Sequence, residues 1–384
     1  MRPALDRYRP PAPTAVLRGI PGRFTSRLHD ERVASWLGIA LGVSVLVSFG
    51  TGLVSHFMQQ PAGWMLWPSR PVNLYRVTQG VHVIGGLATV PLLLAKLWTV
   101  YPRLWQWPPV RSLVHGAQRL LVFVLVGAAL FQFVTGVLNV AYWYAFRFYF
   151  TTAHYWTAYI LVGALVIHIA DQWAKARRTV MTRPQDGVGR RGFLLTVAGA
   201  SGVVALTTVG EAVTPLAPLA VLAPRRPGTG PQDVPVNKSA AATGVTAQAQ
   251  DPRWRLTVTG RVAREVTLSL ADLRALPQHT ARLPISCVEG WSVEASWRGV
   301  RLRDVLRLAG VDDDAQVRVE SLERQGLYRT SQVAPPHWHD PLTLLALGMN
   351  GAPLALDHGY PCRLIAPNRP GVMQTKWVQG LVVS

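Results

Sequence analysis

The chain has 384 residues, of which 49% are hydrophobic and only 15% are charged. Its net charge is +19, and residues 1–250 hold 23 of the 39 Lys and Arg residues but only 7 of the 20 Asp and Glu residues. This basic excess lies in short segments between apolar runs, where positive charge sets the orientation of membrane helices. The C-terminal part shows no basic stripe interleaved with aromatic residues, so nucleic-acid binding is excluded as the function.

Four apolar segments of about 20 residues follow a basic N-terminal segment, residues 1–34, and predict a four-helix membrane domain over residues 35–178. The segments are Ser35–Phe57, Leu74–Trp98, Leu120–Trp143 and Ala153–Trp173. Trp and Tyr gather at their ends, as at a lipid interface. The loops richest in Arg and Lys precede the first helix, join the second to the third, and follow the fourth. We therefore expect a multi-pass protein of the cytoplasmic membrane with these loops on the cytoplasmic side.

A fifth apolar run, from Phe193 to Val209, is expected to form an anchor helix within residues 186–222 and to carry the chain outward. It follows the pair Arg190-Arg191 and resembles a twin-arginine export signal, although Gly189 and Leu195 depart from the usual flanking residues. The alternative is that the paired arginines only flank a helix on its cytoplasmic side. A domain that acquires a complex cofactor in the cytoplasm must cross the membrane folded, which favours export.

Histidines at membrane depth are the candidate ligands of this domain, because ionisable residues there are costly and indicate function. A weak internal repeat aligns Phe49–Leu53 with Phe133–Val137, and the following helices then align His82 with His154. Neutral imidazoles on facing helices are natural axial ligands of haem iron, so His82 and His154 predict a haem b near the outer face. The segment resembles the four-helix cytochromes b of bacterial oxidoreductases.

A second haem near the inner face is a further possibility. His168 follows His154 by fourteen residues, about 21 Å along the helix axis and about 40° from a common face. His115 is its candidate partner, because the residue fourteen after His82 is Lys96 and the four-histidine pattern is incomplete. The sequence thus predicts one or two haems. His56 is an alternative outer ligand or part of a quinone site.

The C-terminal part is predicted to consist of a linker followed by a soluble domain. Residues 223–250 are rich in Pro, Gly, Ala and Gln without periodicity, which predicts a flexible linker. Residues 251–384 alternate short strands such as Arg255–Thr259 with short amphipathic helices such as Ser269–Ala275 and Leu302–Ala309, which predicts an α+β domain.

Several separated motifs in this domain occur in a defined order. They are Leu283-Pro284-Ile285-Ser286-Cys287-Val288-Glu289-Gly290-Trp291, Gly326-Leu327-Tyr328, Met349-Asn350-Gly351, His358-Gly359-Tyr360-Pro361-Cys362-Arg363 and Lys376-Trp377. Through them, residues 253–384 resemble the molybdopterin-binding domain of the sulfite-oxidase family.

This resemblance implies specific roles. Cys287 matches the family's molybdenum ligand, and a soft thiolate suits that metal beside the pterin dithiolene. Tyr328 matches the active-site tyrosine, and His358, Arg363 and Lys376 match residues that hold the pterin phosphate. Each of these four also has an ordinary alternative as a surface charge or core aromatic.

The two cysteines of the chain, Cys287 and Cys362, both lie in this domain. An exported domain favours a disulfide between them. The resemblance requires a free Cys287, however, and so implies that Cys362 is a structural thiol.

The residues after Cys287 bear on the substrate. Sulfite-oxidising members carry an Asn-Arg-Arg-like run there, whereas this chain has Glu289-Gly290-Trp291, closer to the periplasmic methionine-sulfoxide reductase type. The resemblance implies a molybdopterin-dependent oxidoreductase that passes electrons from quinol through haem b to a small-molecule or protein sulfoxide. One alternative is a dehydrogenase that oxidises an external sulfur compound and reduces quinone. Another is a metal-free binding module on a membrane anchor.

Overall fold

The structure is a computed structural model that describes residues 25–181 and 188–384. The basic residues up to Arg23, together with Arg183, lie outside the described residues. The chain divides into two compact units. The first comprises residues up to Val47, Gly86–Asn139 and Trp143–Val204, and the second comprises Ser48–Gly85, Val140–Tyr142 and Ala205–Ser384.

Helices dominate the N-terminal part of the chain. They are α1 (Glu31–Gln59), α2 (Leu74–Ala88), α3 (Val90–Val100), α4 (Leu113–Val140), α5 (Phe150–Met181) and α6 (Val188–Val209). Five helical stretches in the described residues are long and apolar enough to cross a membrane, by length and composition: Glu31–Gln59, Leu74–Trp105, Leu113–Val140, Phe150–Met181 and Gly189–Val209. The second predicted helix is interrupted at Thr89, because Pro91 in the first turn of α3 has no N–H to continue the helical ladder.

Apolar packing holds the helices of the first unit together. One core joins Leu93 of α3, Ala128 of α4 and Leu161 of α5. A second core packs Val197 of α6 against Leu37 of α1. The predicted fifth helix is therefore an integral part of this unit.

The second unit contains the α+β domain. Its strands are β1 (Arg255–Gly260), β2 (Val266–Ser269), β3 (His279–Ser286), β4 (Ser292–Arg301), β5 (Val317–Ser321), β6 (Thr330–Val333), β7 (Leu344–Met349), β8 (Ala352–Pro353), β9 (Arg363–Ile365) and β10 (Val378–Val383). One sheet has the order β2-β1-β10-β5-β6, in which only the β1–β10 pair is parallel. The other has the order β3-β4-β7-β8, and β9 also pairs with β7.

Short helices pack against these sheets. They are α7 (Ala240–Thr243), α8 (Thr246–Gln250), α9 (Leu270–Ala275), α10 (Leu302–Leu308) and α11 (Pro335–Trp338). Both helices expected from the sequence are present as α9 and α10, and the strand expected at Arg255–Thr259 is β1. Ser269 caps α9: its hydroxyl accepts from the Asp272 amide at 3.1 Å, and the Asp272 carboxylate accepts from the Ser269 amide at 2.8 Å. The α+β prediction is confirmed.

The segment 223–250 is not a flexible linker, and this part of the prediction was wrong. It contains α7 and α8, and Val234, Ala240 and Val245 are completely or almost completely buried. Its composition is typical of linkers, but its few apolar side chains fall where they pack around Trp377 and against the β3–β4–β7 sheet. Burial of these residues orders the segment.

Residues 68–83 belong to the same unit as the sheets and lie against them. Arg70 forms a bidentate ion pair with Asp340, with N–O distances of 3.0 and 3.2 Å. Asn368, which is 3% exposed, accepts from the Tyr75 amide at 3.0 Å and donates to the Pro68 carbonyl at 2.8 Å. These bonds seat the start of α2 on the α+β domain.

We expect Asn368→Ala to lower the free energy of unfolding by about 2 kcal/mol, because the buried Tyr75 amide and the partly buried Pro68 carbonyl lose their partner. Asn368 also has a φ of 49°, a conformation that asparagine tolerates better than alanine. The thermal midpoint of the detergent-solubilised protein should fall by about 5–10 °C. Arg253→Ala, at a side chain that is 88% exposed, is the control and should change little. An equal shift in both variants would contradict this account.

Candidate active site

Cys287 directly follows β3 and begins a tight loop that ends at Trp291. The Cys287 amide donates to the Trp291 carbonyl at 2.9 Å, and the Ser286 and Ser292 hydroxyls pair at 2.7 Å across its base. Gly290 has a φ of +106°, and a Cβ there would lie 2.8 Å from Val83 of α2. Only glycine therefore allows this loop to close against the helix. The sulfur of Cys287 is held at a defined place, with the residue 6% exposed.

A chain of polar contacts surrounds the Cys287 sulfur. The Asn237 side-chain amide donates to Sγ at 2.7 Å, and Arg225 donates to the Asn237 side-chain oxygen, Oδ1, at 2.8 Å. Arg225 also pairs with Glu289, whose carboxylate accepts from the Trp291 indole at 3.1 Å. Burial, followed by the charge of Glu289, raises the pKa of the Cys287 thiol to about 12. A thiolate here therefore needs a positive centre beside it, such as a metal ion.

The second cysteine, Cys362, is a free thiol like Cys287. It is completely buried in the core that contains β1, β10 and α10, whereas Cys287 belongs to the core of β3, β4 and β7. Burial raises the pKa of Cys362. Its surroundings are those of a structural thiol, in agreement with the sequence analysis.

Two tyrosines interact with each other in this unit, and one of them, Tyr75, also interacts with the cysteine. Tyr328 precedes β6, makes a side-chain hydrogen bond with Gln60, and has its pKa raised by burial. Tyr75 of α2 is 1% exposed, and its phenol oxygen accepts from Gln59 at 3.1 Å. The Tyr75 phenol interacts electrostatically with both Cys287 and Tyr328. Tyr328 was predicted from the sequence but Tyr75 was not, because a helical sequence pattern does not show which distant loop a side chain contacts.

Arg363 is a buried cation and Lys376 is a largely buried one, and both donate hydrogen bonds to neutral carbonyl oxygens. Arg363 donates to the His358 carbonyl at 3.1 Å, and Lys376 donates to the carbonyls of Lys238 and Asp357 at 2.9 and 2.7 Å. The Arg363 Nε is buried and has no hydrogen-bond partner among the described residues. A buried donor without a partner, next to a second cation, suits an anionic ligand such as a phosphate group.

Burial also sets the protonation of this cluster. It lowers the pKa of Arg363 to about 9, and together with the charge of Arg363 it lowers that of Lys376 to about 7. His358 donates from Nε2 to the Pro231 carbonyl at 2.7 Å, and burial and Arg363 lower its pKa to about 4. The sequence-predicted residues Arg363, Lys376 and His358 are thus brought together in one buried cluster.

Glu211, in the turn after α6, is a further buried acid that the sequence analysis missed. It is 1% exposed, and its Oε1 has no hydrogen-bond partner among the described residues. Burial and the neighbouring charge of Glu289 raise its pKa to about 8. Its backbone carbonyl accepts from the Ser292 amide at 2.8 Å, so the chain after α6 supports the end of the cysteine loop.

His82 and His154 have similar surroundings, each within its own unit. The Nδ1 of His82 donates to the Ser48 carbonyl at 2.8 Å, and the ring lies so close to Gly52 that a Cβ there would be 2.6 Å from it. The Nδ1 of His154 is hydrogen-bonded with the Thr135 hydroxyl at 2.9 Å, next to Gly136. The two glycines occupy equivalent positions in the repeat found in the sequence. A Nδ1 bonded to protein oxygen is the usual outer-shell contact of a metal-ligating histidine.

The inner histidines are arranged differently. Lys96 donates to the Ala34 carbonyl at 2.6 Å, lies against Gly38, and interacts electrostatically with His168. His115 lies in the first turn of α4, where its Nδ1 accepts from the Arg111 amide at 3.1 Å. Within the described residues no group of three or more His, Cys, Asp or Glu side chains could hold a metal ion.

Comparisons with known proteins show what this chain is similar to. Residues 242–384 match the family model described as the oxidoreductase molybdopterin binding domain. The chain is 32% identical to the uncharacterized oxidoreductase YuiH of Bacillus subtilis over 34% of this chain and 64% of that protein. It is 35% identical to a putative protein-methionine-sulfoxide reductase subunit, YedZ1 of Azospira oryzae, over 34% of this chain and 49% of that protein. It is 33% identical to the protein-methionine-sulfoxide reductase catalytic subunit MsrP of Gluconobacter oxydans, over 33% of this chain and 45% of that protein. The chain thus spans less than two thirds of each of these relatives.

The buried Lys376 gives a testable pH dependence for protein made in a host that lacks molybdopterin. Its pKa is lowered from 10.5 to about 7, so between these values the unfolded chain binds more protons than the folded one. Its contribution to the free energy of unfolding should therefore rise with pH across this window, by at most about 1.4 kcal/mol per pH unit.

We expect Lys376→Met to remove this contribution, so that the slope of unfolding free energy against pH is smaller than in the wild type. Denaturant unfolding at several pH values between pH 7 and pH 10 measures the difference in slope. Lys238→Met is the matched control for loss of a lysine. A slope unchanged in Lys376→Met would show that the lysine does not titrate in the folded state as described.

Proposed function

We infer that this chain, whose residues 242–384 belong to the molybdopterin-binding oxidoreductase domain family, is a membrane-bound molybdenum oxidoreductase that reduces a sulfoxide outside the cytoplasm. Its electrons come from quinol by way of haem b. The observation that carries the proposal is the Cys287 sulfur, held by Asn237 in a closed loop beside Tyr75. Five helices of membrane-spanning length and composition support attachment to a lipid bilayer.

The residues of the α+β domain fit the molybdenum cofactor. Cys287 would bind the metal through its sulfur, and the Asn237 amide holds that sulfur in place. Arg363, Lys376 and His358 would hold the pterin phosphate, which supplies the partner that the buried Arg363 Nε lacks. When bound, the cofactor supplies two-electron oxygen-atom transfer, and haem supplies one-electron steps.

Tyr328 and Tyr75 position the substrate in this proposal. The Tyr75 phenol interacts electrostatically with both Cys287 and Tyr328, and burial raises the pKa of Tyr328, so the Tyr328 phenol keeps its proton at neutral pH. A protonated phenol donates a hydrogen bond, and the oxygen of a sulfoxide is a strong acceptor. Tyr328 would therefore orient the sulfoxide oxygen toward the metal side of the site.

The charge beside the cysteine supports a neutral substrate over sulfite. Glu289 stands two residues after Cys287 and is compensated by Arg225, so this arginine is not available to attract a substrate anion. The relatives MsrP and YedZ1 carry methionine sulfoxide in their names. Methionine sulfoxide, free or in a protein, is accordingly the proposed substrate class.

His82 and His154 are the proposed haem ligands. The Nδ1 bonds to Ser48 and Thr135 orient the two rings. Gly52 leaves the space in which the His82 ring lies, and the His154 ring lies next to Gly136. At the inner level, the Lys96 ammonium near His168 disfavours a second ferric haem by charge repulsion. We therefore propose one haem b.

Cys287→Ser should abolish reoxidation of the haem by methionine sulfoxide, because a serine hydroxyl does not replace a soft thiolate ligand. The detergent-solubilised protein is reduced anaerobically with stoichiometric quinol, and the haem α band is followed after methionine sulfoxide is added. Cys362→Ser is the matched control and should retain reoxidation. A wild-type band that stays reduced would contradict the sulfoxide assignment.

His82→Ala should lose the b-type haem spectrum, since removal of an axial imidazole leaves the iron without that ligand. His115→Ala, a histidine in the first turn of α4, is the matched control and should retain the spectrum. Pyridine haemochrome analysis of both purified variants measures the haem per chain. A full haem content in His82→Ala would refute this ligand assignment, and two haems per wild-type chain would refute the single-haem proposal.

A further inference from the structure

One face of α2 carries a row of three functional side chains. Tyr75, Gln79 and His82 are separated by four and three residues, which places them within an arc of about 60° and along about 10.5 Å of the helix axis. Tyr75 and Gln79 are buried at 1% and 5% exposure. All three belong to the same compact unit as Cys287.

Gln79 connects this row directly to the cysteine loop. Its side-chain amide donates to the Val288 carbonyl at 2.7 Å, and Val288 is covalently bonded to Cys287. One position beyond His82, Val83 is so close to the loop that a Cβ on Gly290 would lie 2.8 Å from it. Helix and loop are thus in contact on both sides of the hydrogen bond, without space for water between Val83 and Gly290.

We propose that Gln79 is the electron-transfer contact between the haem on His82 and the molybdenum on Cys287, a step that rests on the proposed function. The path runs along one turn of α2 from His82 to Gln79, about 4.5 Å, then through the hydrogen bond to Val288 and its peptide bond to Cys287. Each passage of one electron oxidises ferrous haem to ferric haem and reduces molybdenum by one electron. Two passages, with two protons from water, reduce one sulfoxide to a sulfide and water.

The hydrogen bonds of Arg70 and Arg76 end on other residues than Val288 and Cys287. The Arg70–Asp340 ion pair ends near α11, and Arg76 donates to the Ala212 carbonyl at 3.0 and 2.7 Å. Both residues seat α2 on the domain. The Arg70 ion pair leads away from the cysteine, whereas Arg76 bonds the residue after Glu211, whose carbonyl supports the end of the cysteine loop. Removal of the Arg70 ion pair therefore weakens the docking of α2 without removing the Gln79 hydrogen bond, so the two effects can be measured separately.

Gln79→Met tests the proposal, because methionine matches the length of glutamine but has no N–H to donate. In the holoenzyme without substrate, the haem is reduced by a radiolytic pulse, and its reoxidation by molybdenum is followed at the α band. We expect this rate to fall by at least about tenfold, the effect typical of losing an outer-shell partner of a metal ligand. Haem content, molybdenum content, the haem midpoint potential and the Mo(V) resonance should remain as in the wild type.

Arg70→Ala is the matched control, since it removes a docking contact at the same surface and should leave the rate within about twofold of the wild type. Sulfoxide reduction supported by reduced benzyl viologen, which supplies electrons to molybdenum directly, should survive in Gln79→Met.

An unchanged pulse-radiolysis rate in Gln79→Met, or an equal loss in Arg70→Ala, would overturn the proposal. The pulse experiment uses no substrate, so it does not depend on the sulfoxide assignment. If that assignment is wrong, the wild-type haem will still transfer its electron to molybdenum, but methionine sulfoxide will not reoxidise it catalytically.

Discussion

The close approach of α2 to the loop after β3 is the constraint on which the candidate site depends. Position 290 must be glycine, because its backbone has a φ of +106° and any Cβ would overlap Val83. This contact brings the Tyr75 phenol beside Cys287 and places the Gln79 amide on the Val288 carbonyl. The site is therefore built jointly by a helix of membrane-spanning character and a loop of the α+β domain.

Buried charge gives the site two ends of opposite character. One end carries three acidic groups, the side chains of Cys287, Glu289 and Glu211, and burial raises the pKa of each. Arg363 and Lys376 form a positive end, and burial lowers the pKa of both. A cofactor with a metal cation at one end and a phosphate at the other complements this arrangement, because it removes the desolvation cost at both ends.

The sequence allowed the domain class and the central residues to be predicted, because they lie in motifs that are continuous in the chain. Cys287, Arg363 and Lys376 were found in this way, and the structure gathers Arg363 and Lys376 with His358. Asn237 was missed because its segment has the composition of a linker, although Val234 and Ala240 are buried.

Tyr75, Gln79 and Glu211 were missed for a different physical reason. Each lies in or beside an apolar segment that predicts only a membrane helix. Each belongs to the candidate site only because it lies close to a loop that is more than 70 residues away in the chain. The alignment of His82 with His154, in contrast, was visible because a repeat carries its own internal comparison. The His82 ring lies beside Gly52 and the His154 ring lies beside Gly136, the glycine at the equivalent position of the repeat.

The placement of residues 48–85 in one compact unit with the α+β domain has a kinetic consequence. Where redox domains are joined by a free tether, each turnover waits for a diffusive encounter, which slows as the solvent becomes viscous. Here the helix that carries His82 is already bonded to the loop that carries Cys287. In the proposed electron transfer, turnover would therefore be limited by chemistry and driving force, and glycerol or sucrose in the medium would not slow it through a search between domains.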